Sequence, residues 1–200
     1  MKYVSSVLSV VLLASICAAQ VAPEAAEKAY SAGLKIWTVD GDAGDGTLLG
    51  PTITAHVGDD MFASALFVSG DVGDSGYDAS ITDSEFLFGK ELEYVDIGAG
   101  LKFVEGSDAG DSASGYGIML YAGTGNLFKE GPLGWYLAGT FTPEVLGDLG
   151  DAGVGPVYTV EGGLYAAWPD WTAALGYRLL DETDGDMKYD GLSLTGSFRF

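Results

Sequence analysis

From residue 31 onward, apolar and polar side chains alternate in segments roughly ten residues long. Val95, Ile97, Ala99, Leu101 and Phe103 alternate with Asp96, Gly98, Gly100 and Lys102. Trp171, Ala173, Leu175 and Tyr177 likewise alternate with Thr172, Ala174, Gly176 and Arg178. A period of two is that of a β-strand, whose successive side chains point to opposite faces. The pattern predicts an all-β chain with strands near 31–39, 48–58, 61–69, 83–90, 95–104, 115–123, 134–142, 156–167, 171–180 and 189–200. Gly and Asp clusters between them supply the turns. After residue 20 no apolar run reaches the ~18–20 residues that a membrane-spanning helix needs.

The connections alternate in length. Residues 58–60, 91–94, 124–133 and 169–170 read as short turns, whereas 40–46, 70–83, 105–113, 143–155 and 181–190 read as long loops. In an antiparallel up-and-down barrel successive connections fall at opposite ends, so the chain would have a short-turn end and a long-loop end. About ten strands are expected, with eight as the alternative. The five long loops hold 18 of the 29 acidic residues, and Lys188 is their only base.

One strand face carries the large apolar residues and the other is small, polar or charged. In the last strand Leu192, Leu194, Gly196, Phe198 and Phe200 oppose Ser193, Thr195, Ser197 and Arg199. A soluble barrel turns the apolar face inward, whereas a transmembrane barrel turns it toward lipid. Glycines in the polar column suit a narrow interior. The aromatics favour lipid: Phe128, Trp135, Trp168, Trp171, Phe198 and Phe200 fall at the short-turn end, and Phe103, Tyr116, Phe141 and Tyr158 near the long-loop end. Two such bands match the interface girdles of a membrane barrel.

Composition narrows the partners. Nine Lys and Arg against 29 acids give a formal charge of −20, which argues against nucleic acid or an anionic surface as an electrostatic partner. Disorder is disfavoured by 48% hydrophobic residues. The single cysteine, Cys17, allows neither an intramolecular disulfide nor a cysteine metal site. Residues 1–19 read as a signal peptide: a basic start at Lys2, an apolar run from Val4 to Ile16, and small residues before a cut preceding Gln20. A lipoprotein signal acylated at Cys17 is the rival, with Ile16 where a small residue is expected. Residues 20–30 would be a periplasmic arm and 31–200 the barrel.

The ending GLSLTGSFRF, with terminal Phe200 and apolar or small residues at every second position back through Phe198, Gly196, Leu194 and Leu192, resembles the C-terminal strand of small bacterial outer-membrane β-barrels. The resemblance implies that the barrel-assembly machinery reads Leu192, Leu194, Phe198 and Phe200. It also implies a cell outer membrane location, lipid and lipopolysaccharide as surroundings, and acidic loops facing outward.

The lumen would then receive Lys35, Lys102, Arg178 and Arg199 with Glu85, Asp96 and Glu161, plus the lone His56. Opposite charges in a narrow interior must pair, which suggests a plug; a selective small pore is the functional alternative. A Ser-His-acid hydrolase is disfavoured because His56 lies two residues from the short turn at Gly58, far from the outer rim. No catalytic residue and no cofactor is assigned. Asp40, Asp42 and Asp45 superficially match a calcium loop, but position twelve is Pro51 rather than Glu and no helices are expected to flank it, so collective binding of Ca or Mg is all they suggest. Three readings survive: a structural or surface-interaction barrel, a narrow channel, and an exported soluble barrel binding an apolar ligand.

Overall fold

The structure is a computed structural model, and it describes residues 30–41, 44–58, 60–73, 79–108, 111–124, 132–183 and 187–200. The expected signal peptide, most of the N-terminal arm, Asp42 and Phe128 lie outside the described residues.

The strands are β1 (Tyr30–Gly41), β2 (Gly46–Val57), β3 (Met61–Val72), β4 (Ala79–Glu91), β5 (Val95–Asp108), β6 (Asp111–Thr124), β7 (Leu133–Thr142), β8 (Leu146–Gly147), β9 (Val157–Ala167), β10 (Trp171–Glu182) and β11 (Lys188–Arg199), with one helical turn, α1 (Asp148–Asp151), after β8. Every pairing is antiparallel, and β1 pairs with both β2 and β11. With β5 also paired to β6, the sheet closes into a ring of ten strands, β8 being a two-residue piece paired with β6 beyond the end of β7. Closure gives every strand of the ring a partner on both sides, though β6 and β7 share a short ladder of Leu120–Gly123 with Ala138–Phe141, and closure is the condition for a sheet to sit in an apolar medium. The strand count is ten, not eight.

The ladders outrun the apolar alternation. The β5–β6 ladder continues through Glu105↔Ser114 to Asp108↔Asp111, so the expected loop 105–113 shrinks to 109–110. Likewise β4 begins at Ala79, inside the expected loop 70–83, while 125–132 between β6 and β7 is longer than 109–110. The strict short-long alternation is therefore corrected. Backbone pairing needs no apolar face, so the β5–β6 hydrogen bonds continue where the side-chain period fades, whereas in β4 the period does continue inward through the buried Ala79 and Ile81, interleaved with Ser80 and Thr82.

Outward side chains are large and apolar. Ile118, Leu164 and Leu194 are exposed, as are Trp135, Trp171, Phe198 and Phe200. Inward residues of the same strands, Met119, Glu161 and Ser193, are buried. The reversed orientation required by a soluble apolar-ligand barrel is not the one adopted.

The interior is not uniformly polar, which corrects the expectation for the inward column. Trp37, Val39, Leu48, Val68, Val72, Ala79, Ile81, Val157 and Leu180 form one buried apolar cluster at the long-loop end. These positions extend the same inward columns that carry Lys35, Asp83 and Arg178 further along. Trp37 is 1% exposed whereas Leu164 is 68% exposed. Trp37→Ala is expected to lower stability by about 3–5 kcal/mol through cavity formation, and Leu164→Ala, which opens no cavity but removes apolar surface facing the detergent, by about 2 kcal/mol. Urea unfolding of the two variants in detergent micelles checks this, and equal losses would contradict the packing.

Candidate functional site

Below the apolar cluster, six charged side chains from five strands meet at one level of the lumen. Arg178 on β10 reaches Glu161 Oε2 on β9 at 3.1 Å through Nη1. Its Nη2 donates to Asp83 Oδ2 at 2.8 Å and Glu85 Oε1 at 2.9 Å, both on β4. In the ring β10 and β4 stand opposite one another, so Arg178 crosses the barrel as a strut. Lys102 on β5 donates to Asp83 Oδ1 and Glu85 Oε1, each at 2.7 Å, and to Thr159 Oγ1 at 3.3 Å. Lys35 on β1 pairs with Glu161.

Three cations thus balance three carboxylates. Each isolated charge would be costly in this buried space, and mutual pairing plus neutral donors offsets that cost. Tyr136 and Ser193 hydroxyls each donate to Glu161 Oε1 at 2.9 Å. The Arg178 guanidinium also lies 5.3 Å from the Trp37 ring centroid, joining the ion-pair layer to the apolar cluster above it.

The structure therefore brings together Lys35, Glu85, Lys102, Glu161 and Arg178. His56, Asp96 and Arg199 do not join them, because their positions lie at the short-turn ends of β2, β5 and β11. His56 Nδ1 instead faces Glu91 Oε1 at 3.2 Å, with both side chains nearly half exposed. Asp96 and Arg199 line a vestibule. Sequence reasoning missed Asp83, which is completely buried, by placing it in a loop. The signal was present: Ile81, Asp83, Glu85 and Leu87 share one parity along β4.

The vestibule has a volume of about 750 Å³ and is lined at the short-turn end by Asp60, Glu91, Glu93, Asp96 and Arg199. It reaches Tyr136 and Glu161. A smaller space of about 230 Å³ adjoins Lys35, Glu85 and Arg178.

The C-terminal residues lie on the outer wall. Leu192, Leu194, Phe198 and Phe200 are all exposed. Phe200 stacks on Tyr30 at 6.2 Å, and the two residues exchange backbone hydrogen bonds of 3.2 and 2.9 Å across the closing seam. Of the loop aspartates, Asp40 stands opposite Asp190 across the β1–β11 pair, and the Asp45 carbonyl accepts from the Gly73 N–H. Among the described residues no group of three or more His, Cys, Asp or Glu is placed to hold a metal ion.

No family model matches the chain. No curated protein matches it either. Among solved structures, Neisserial surface protein A (NspA) is similar at 13% identity and a TM-score of 0.43, over 86% of this chain and 96% of that one. The N-terminal β-barrel domain of Pseudomonas aeruginosa OprF is similar at 12% identity and a TM-score of 0.35, over 85% of this chain and 97% of that one. Both are bacterial outer-membrane β-barrels. The likeness is one of fold, and it assigns no role to any residue.

Removing one member of the ion-pair layer strands its partners in a buried site. Lys102→Met is expected to cost about 3–5 kcal/mol, with part of the loss restored by adding Asp83→Asn. Lys90→Met, which removes an exposed pair with Asp60 at 3.9 Å, should change stability by less than about 1 kcal/mol. A double-mutant cycle by urea unfolding reads both.

Proposed function

We propose that this chain is a sealed barrel of the bacterial outer membrane with a structural or surface-interaction role. The observation that carries the reading is the pairing of an apolar outer wall with a charge-balanced layer across the lumen. On this reading residues 1–19 are a cleaved signal peptide and Leu192, Leu194, Phe198 and Phe200 engage the barrel-assembly machinery. The acidic long-loop end faces outward, where divalent cations can mediate contact with lipopolysaccharide phosphates. No catalytic role is proposed.

A narrow channel is the second reading, favoured by the vestibule that opens one half of the lumen. The sealed barrel is preferred because Arg178 and Lys102 stand between that vestibule and the apolar cluster, and the cluster fills the remaining half.

Fractionation and gel migration test the membrane assignment. The protein should appear in the outer-membrane fraction and run as a compact, faster band unless boiled, because a closed hydrogen-bonded wall resists detergent at room temperature. A protein that stays in the aqueous phase and shows no heat-dependent shift would overturn the reading.

A further inference from the structure

The connection between β7 and β9, residues 143–156, does not simply bridge two strands. Its Val145 and Val154 turn inward and pack on the apolar cluster. Leu149 joins them against Val157 and Met187 around a small residual space. The barrel wall is cleared to receive them: a Cβ on Gly115 would stand 2.6 Å from Val145 Cγ1, and one on Gly117 would stand 2.3 Å from the Glu144 carbonyl oxygen. Gly147 and Gly153, at φ 91° each, supply the reversals on either side of α1.

Polar contacts fasten this segment to the end of β10. The buried Glu182 carboxylate accepts the Gly155 N–H. The Thr183 N–H and hydroxyl both donate to the Pro156 carbonyl, at 2.9 and 2.7 Å. Within the segment, the Val154 N–H donates to the Leu149 carbonyl at 2.9 Å. None of these hydrogen bonds involves Lys35, Asp83, Glu85, Lys102, Glu161 or Arg178, although Lys102 borders the space beneath Leu149, and on its other side the segment is held to the wall by Leu146 and Gly147, which pair with Tyr116 and Gly115 of β6.

We propose that residues 143–156 form a lid over the long-loop mouth, hinged on the pairing of β8 with β6 and latched by Glu182 to β10, that opens at the latch while the ten-strand wall and the ion-pair layer stay closed. Closed, it keeps water from the apolar cluster around Trp37. Released, it exposes that cluster at the mouth while the lumen stays crossed by Arg178.

Amide hydrogen exchange in detergent micelles tests the lid. In Glu182→Ala the Val154 and Gly155 amides should exchange about tenfold faster, as expected for losing a buried hydrogen bond to a carboxyl acceptor. Amides of β2 to β4 should keep their wild-type rates. Gly115→Val should loosen the same segment by pressing on Val145, and it leaves the latch chemistry intact. Unchanged exchange across 143–156 in both variants would overturn the proposal. So would acceleration that spreads equally into β2 to β4, since the segment would then be part of the wall.

Discussion

Charge inside a narrow barrel has nowhere to go except onto other charge. Arg178 answers this by spanning the lumen from Glu161 to Asp83 and Glu85, while Lys102 and Lys35 neutralise what remains. Pairing of this kind is compatible with only one arrangement of the contributing strands. A shift of one residue in β4 would rotate Asp83 and Glu85 out of the lumen and bring Ser84 and Phe86 in. The ion-pair layer and the strand register therefore specify one another, and the closed ladder from β1 to β11 holds both.

Three strata follow along the barrel axis, each with a different physical basis. The long-loop end is filled by an apolar cluster and covered by residues 143–156. The middle is crossed by ion pairs. The short-turn end is an open vestibule with carboxylates at its rim. Outside, exposed Leu, Ile and aromatic side chains surround the wall, with Trp168 stacked on Trp171 at 3.6 Å near the short turns.

Much of this was legible in the sequence because a period of two directly encodes which side chains share a face. The outward columns of β5, β10 and β11 and five members of the ion-pair layer follow from parity once the glycines and the two aromatic bands decide which face is inward. Parity does not give height along the barrel, so His56, Asp96 and Arg199 shared the inward face without sharing the level. Asp83 was hidden for a related reason: Ser80, Thr82, Asp83 and Ser84 resemble a loop, and Ile81 is the one large apolar residue among them that marks the strand as continuing. The apolar upper interior was hidden too. Trp37, Leu48 and Leu180 are inward residues, but nothing in an alternating pattern says that an inward column changes from polar to apolar partway along.

Single-channel recording in planar bilayers tests the central claim, that the ion-pair layer and the apolar cluster together seal the lumen. The purified, folded barrel should insert and give no sustained conductance. A steady ohmic current from folded wild-type protein would contradict the account, because ions would then be crossing the level at which Arg178 meets Asp83.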